Sequence, residues 1–330
     1  MRKIKLGTVQ PAYVPTPPEY DCMHDPYDND VRKIIGSCVS RQLEVTFSLL
    51  DQAGREGCGI VTTCEDACVI GNYGVDTTGT NIFPELVRQS AQMAEEGFSS
   101  LAKKHAMYVV ACYFKQDAGK IFNMASLFNR NGEIIGDYRK THLPAYEKWQ
   151  VAEGNWLGCL ETDFGKIGVN ICYDMMFPET VEAVSLAGAE IIFHPTAGYG
   201  WYDSIGEATL RTRANDNHVY IVTSKNHVNN AAGKSSIIDY WGQVLADAGF
   251  YPNVVVTREI DLDQPKSQPD WFYPVQTTGI ANLRERSHRE RRPELYGSLT
   301  AENRKPLGVS GQAEQDRIIR MIKNRQCRWS

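Results

Sequence analysis

The chain has 330 residues, 42% of them hydrophobic and 23% charged, with a formal net charge of −5, the profile of an ordinary globular protein. The negative balance argues against a chain built to bind nucleic acid or an anionic membrane, and no apolar run approaches the roughly 18 residues of a membrane span. Nine cysteines, an odd number, in a long chain whose first residues are too polar for a secretion signal read as reduced thiols of a cytoplasmic protein.

Residues 4–10 read as a first strand, and 13–30, rich in Pro, Asp and Tyr, as a long loop. Over 31–56, Ile35, Cys38, Phe47 and Leu50 are spaced to give a helix one apolar face. A short buried strand at 59–63 stops at Cys64-Glu65-Asp66. Cys64 and Cys68 lie four apart, but no second pair follows to complete a zinc site. A helix over 91–105 leads into a strand at 107–115. Segments 122–129 and 133–140 form a hairpin around Arg130-Asn131-Gly132, where Asn-Gly supplies the positive φ of a tight turn. A second hairpin joins 160–162 to 166–171 around Asp163-Phe164-Gly165.

In that strand Ile167, Val169 and Ile171 alternate as a half-buried strand does. It stops at Cys172, and Pro178-Glu179 opens a helix. A cysteine on a sharp strand-to-helix turn has its sulfur held rigidly and exposed, as in a nucleophile elbow. Strands at 191–194, 219–224, 235–238 and 254–261, with helices near 179–187 and 207–217, complete one α/β domain over 1–262 with a mixed sheet. The chain has no repeat, no GxGxxG and no Walker A sequence, so a nucleotide site lacks support. The polar remainder, 263–330, carries a mixed charge run at 284–292 that reads as a solvated face or a subunit contact.

Three strand ends thus carry reactive side chains: Glu65, Lys140 and Cys172. Around them stand Tyr138-Arg139-Lys140-Thr141-His142-Leu143-Pro144 with Glu147 beyond, then Asn170-Ile171-Cys172-Tyr173-Asp174 and Phe177-Pro178-Glu179. Farther on come Leu210-Arg211-Thr212-Arg213-Ala214 with Asn217, and Ser235-Ser236-Ile237-Ile238-Asp239. In this order and spacing the sequence resembles the nitrilase superfamily of carbon–nitrogen hydrolases, over roughly 4–262. The resemblance implies an α/β fold, a four-layer α-β-β-α sandwich, commonly assembled as a homodimer or higher homo-oligomer. It also implies that Glu147 orients Lys140 or the substrate. The tail 263–330 is expected to cross onto a neighbouring subunit.

The chemistry explains why these residue types belong together. A thiol near its ordinary pKa is mostly protonated at neutral pH. Glu65 serves as the general base for Cys172, and Lys140 with the Tyr173 backbone N–H stabilises the oxyanion, each such donor being worth ~3 kcal/mol. The mechanism needs no metal and no organic cofactor. His142 is the rival partner for Cys172, as in cysteine proteases, but it leaves Glu65 and Lys140 without a role. Asp66 and Asp174 read as hydrogen-bonding scaffold.

The substrate class is a small molecule bearing a linear amide or an N-carbamoyl group. Tyr173-Asp174 replaces the Trp-Glu typical of enzymes acting on nitriles, which leaves a nitrile as the alternative and a non-catalytic homo-oligomeric scaffold as the remote one. Met175-Met176 stands where some carbamoylases place arginines to hold a substrate carboxylate. Tyr146, Trp149, Trp156, Tyr199, Trp201 and Tyr202 cluster near the expected mouth, either contacting substrate or packing at a subunit interface. His194, at a strand end, either lines the pocket or is a satisfied buried histidine.

Overall fold

The computed structural model describes residues 1–13, 30–71, 81–144, 147–197, 203–227, 234–264 and 283–301. Two mixed six-stranded sheets lie face to face. The first contains β1 (Lys3–Gln10), β2 (Ile60–Thr62), β3 (Tyr108–Asp117), β4 (Lys120–Phe128), β5 (Ile134–Arg139) and β12 (Val254–Asp261), in the order β12-β1-β2-β3-β4-β5. The second contains β6 (Cys159–Glu161), β7 (Lys166–Val169), β8 (Ile191–Thr196), β9 (Tyr220–Lys225), β10 (Ser236–Ile238) and β11 (Val244–Asp247), in the order β11-β10-β9-β8-β7-β6. In each sheet three central strands run parallel, β1-β2-β3 and β7-β8-β9, and hairpins extend the edges. Their parallel strands end together, which gathers their carboxyl ends at one rim.

Alternation along the strands builds three apolar layers. Leu6, Ile60, Val110, Ile167, Val169, Ile171 and Phe193 fill the space between the sheets. Helices α1 (Val31–Ile34), α2 (Ser40–Arg55) and α3 (Phe83–His105) cover the outer face of the first sheet through Leu43, Leu50, Phe83 and Phe98. Helices α4 (Pro178–Leu186) and α5 (Asp203–Asn217) cover the second through Val181, Val184, Leu210 and Ala214. The result is the α-β-β-α sandwich. Gly168 brings α4 close: a Cβ there would stand 2.1 Å from Val184 Cγ1.

Polar ties fix the two sheets in register. Thr8 Oγ1 donates to Thr223 O at 2.9 Å and Ser224 Oγ to Val9 O at 2.6 Å. At the opposite rim, the Arg2 guanidinium forks onto both oxygens of Glu190 at 2.7 and 2.9 Å and reaches Asp263 at 2.8 Å, a bidentate geometry well suited to a partly buried ion pair.

The elements depart from expectation in four places. The helix expected at 91–105 starts eight residues earlier, at Phe83, because Pro84 and Glu85 favour a first helical turn. The helix expected over 31–56 contains a π-helical stretch, Ile35–Val39. A strand not foreseen, β11, pairs antiparallel with β10 across the turn at Gly242. Within the polar tail a helix, α6 (Leu283–Arg289), lies against α4 of its own chain: Arg284, 8% exposed, donates to Ser185 O and Ala189 O, and Arg291 pairs with Glu182 at 2.8 Å.

Candidate active site

The carboxyl ends of β2 and β7, and the segment leaving β5, bring Glu65, Cys172 and Lys140 together. Beyond β2 the backbone turns sharply, with Asp66 at φ 49° and Val69 at φ 54°. The Asp66 carboxylate accepts the N–H groups of Ile70 and Gly71 at 3.1 and 2.7 Å, which caps this turn and fixes Glu65. Burial raises the Asp66 carboxyl to about 7. Lys140 follows β5, its backbone N–H held by Asn123 O at 2.9 Å.

Cys172 has φ +45°, the left-handed region that a residue with a Cβ enters only under constraint. The constraint is Asp174. Buried completely, it accepts from Ile171 N at 2.9 Å and Tyr138 Oη at 2.8 Å on one oxygen. On the other it accepts from Thr141 Oγ1 at 2.9 Å and His142 N at 2.8 Å. One carboxylate therefore ties the nucleophile turn of the second sheet to the segment carrying Lys140 on the first. Burial opposes its ionisation, but the His142 ring, with Nδ1 at 3.2 Å, and the donors of Ile171, Tyr138 and His142 N outweigh it and hold the carboxyl below its usual range.

Lys140 is 1% exposed and Glu65 3%. The ammonium lies 2.8 Å from Glu65 Oε1 and 2.8 and 2.9 Å from the two oxygens of Glu147. Glu65 Oε1 also accepts from Asn123 Nδ2 at 2.8 Å, and Oε2 from Ala197 N at 2.8 Å. Burial alone would keep Glu65 protonated; the Lys140 charge, the Lys140 hydrogen bond and the Ala197 N–H overcome it and hold the carboxyl below its ordinary value. Glu147 has the opposite balance, and burial raises it to about 7. The Cys172 thiol, half-buried, lies beside Glu65 and Thr196. Burial first, then the negative charge of Glu65, push it up to about 12, so the resting sulfur is a thiol beside a carboxylate.

A family model for carbon-nitrogen hydrolases matches residues 39–269. The chain belongs to the carbon-nitrogen hydrolase family. Among its relatives are the omega-amidase NIT2 of Xenopus tropicalis, 28% identical over 288 residues covering 81% of this chain and 95% of that one, and that of Danio rerio, 31% identical with 65% and 80% covered. The solved carbon-nitrogen hydrolase from Helicobacter pylori G27 superposes with a TM-score of 0.69 at 24% identity, covering 90% of this chain and 98% of that chain. An amidase from Nesterenkonia sp. AN1, solved with acrylamide added to its active-site cysteine, gives 0.65 at 18% identity, with 90% and 99% covered.

In this carbon-nitrogen hydrolase Glu65, Lys140, Glu147 and Cys172 lie together. Tyr173 is 38% exposed beside the nucleophile, its ring edge-on to Phe177 at 5.4 Å. His194 is fully buried, with Nδ1 at 3.0 Å from Asn170 O, and burial lowers it to about 4. Tyr146 and Trp201, with Tyr199 and Tyr202, lie outside the described residues. The rival, His142, stacks on Phe177 at 4.0 Å, with Nδ1 on Thr141 and Asp174. Cys64 points to Asn226 and Cys68 to Ser90 O, and no trio of His, Cys, Asp or Glu side chains forms a metal site among the described residues.

Sequence reading missed Asn123, Thr196 and the Ala197 N–H. Asn123 left a trace, a single amide in the apolar run Phe122-Asn123-Met124-Ala125. A backbone donor leaves none.

Proposed function

We propose that Cys172 is the nucleophile of an amidase acting on a small linear molecule with a terminal amide, and that Glu65, Lys140 and Glu147 complete its machinery. The observation that carries this is the Cys172 thiol beside Glu65, a carboxylate that the buried Lys140 touches at 2.8 Å and holds ionised. The omega-amidase relatives favour the amide over the N-carbamoyl group, as does the absence of an arginine beside Cys172, where Met175 and Met176 stand.

As Cys172 Sγ bonds to the carbonyl carbon, its proton passes to Glu65. Lys140 has three N–H groups. One goes to Glu65 and one is shared by the two oxygens of Glu147, which leaves one for the oxyanion, beside the Tyr173 N–H. Glu65 then gives its proton to the departing nitrogen as the C–N bond breaks, and ammonia leaves. The thioester on Cys172 is cleaved by water, whose proton Glu65 takes and returns to the sulfur. Every proton lost at one step is recovered at the next, so the cycle closes with these residues and water.

We assign this chemistry to residues 1–262 and treat 263–330 as an extension at the interface of a homodimer or larger assembly in the cytoplasm. Among the described residues, no helix is long and apolar enough to cross a membrane.

The test is ammonia release from terminal amides, N-carbamoyl compounds and nitriles, with wild type and Cys172→Ala. The reading predicts release from a terminal amide that the variant lacks. Equal release by the variant, or release from nitriles alone, overturns it.

A further inference from the structure

Lys140 lies buried between two carboxylates, Glu65 and Glu147, each within 2.9 Å of its nitrogen. One ammonium cannot fully neutralise two buried carboxylates, so one carboxylate holds its charge and the other favours its proton. Distance to Lys140 does not separate them. Among the described residues, the remaining donors do. Glu65 receives the Asn123 amide on one oxygen and the Ala197 N–H on the other, each at 2.8 Å. Glu147 receives hydrogen bonds from Lys140.

We propose that Asn123 is a positioning residue that makes Glu65, and not Glu147, the carboxylate that stays ionised and takes the thiol proton. This rests on the reading of Glu65 as general base. Asn123 is built for the task. It is 1% exposed on β4, and its Oδ1 accepts from the Cys112 thiol at 3.5 Å, which turns Nδ2 toward Glu65. Its backbone carbonyl accepts the Lys140 N–H at 2.9 Å, so one residue fixes both base and cation.

Two neutral donors besides Lys140 set the balance at Glu65, the Ala197 N–H and the Asn123 amide, and Asn123 is the one that a side-chain substitution removes. Cys64 and Cys112 are thiols held neutral by burial, His194 is neutral, and Asp66, Glu147 and Cys172 are acids that, when ionised, oppose a second negative charge. Lys140 is the cation that touches it.

Asn123→Leu removes the donor at nearly constant volume. With the amide that wild type cleaves, kcat/KM measured on the acid limb of the pH profile should fall about tenfold, the low end of the worth of a hydrogen bond to a charged group. The acid limb of its pH profile should move up by about one unit. Asn123→Asp, which adds a like charge, should move it further. A uniform loss at every pH with the limb unmoved, or activity within twofold of wild type, overturns the proposal.

Infrared titration of wild type, Glu147→Gln and Glu65→Gln needs no Asn123 variant. Apart from the band of Asp66, which also grows as pH falls through about 7, the carboxyl that remains beside Lys140 in Glu65→Gln should titrate at higher pH than the one that remains in Glu147→Gln. The reverse pattern overturns the proposal. Full activity in Glu65→Gln would instead remove the general-base reading itself, which separates the two failures.

Discussion

Glu65 acts on Cys172 in two opposing ways. It is positioned to take the thiol proton, yet its charge is one reason the thiol is raised to about 12. Glu65→Gln removes both effects. Turnover should fall by at least a thousandfold, because the base and the proton donor are lost together. Alkylation of Cys172 by iodoacetamide should change the other way. Without the adjacent negative charge, and with Lys140 still at hand, its midpoint should drop below that of wild type. Rates of carbamidomethylation across pH, read by mass spectrometry, measure this. An unmoved midpoint would mean that the carboxylate does not face the sulfur.

Among the elements, the turns after β5 and β7 matter most, because Asp174 joins them. Asp174→Ala leaves the donors of Ile171, Tyr138, Thr141 and His142 without their acceptor. That should cost about 3–5 kcal/mol by urea unfolding at pH 7. Because the native carboxyl is held below its unfolded value, its contribution is present above about pH 4 and disappears as pH falls through the native value. The wild-type and variant stability curves should therefore converge in acid; a constant gap would show that lost packing explains the cost. The strand ends carrying Glu65, Lys140 and Cys172 were legible because alternation in 166–171 and the Asn-Gly turn at 131–132 set the register locally. The first turns of α3 and β11 were not, although Pro84-Glu85 and the turn at Gly242 mark them locally, and the π-helical stretch has no periodicity of its own to read. Asn123 is intermediate: its polarity stood out in an apolar run, but its partner Glu65 lies 58 residues away.

At the scale of the molecule, two sheets that meet face to face put the base and cation on one and the nucleophile on the other. The site exists only while the inter-sheet layer of Leu6, Ile60, Val169 and Phe193 is intact. The extension contributes from outside, where α6 seats Arg284 under α4 while Leu295 and Leu299 remain 61% and 58% exposed. Exposed leucines beyond a docked helix suit a second copy of the chain, and light scattering at micromolar concentration should give at least a dimer. A stable monomer would contradict the assembly we propose.

In the mechanism we propose, catalysis passes through a thioester on Cys172. Rapid acid quench during turnover of a terminal amide, followed by mass spectrometry of the peptides, tests it directly. We predict an added acyl mass on the peptide carrying Cys172, formed and lost at rates that match ammonia release. Turnover with no adduct there, or with an adduct on another cysteine, would contradict the account.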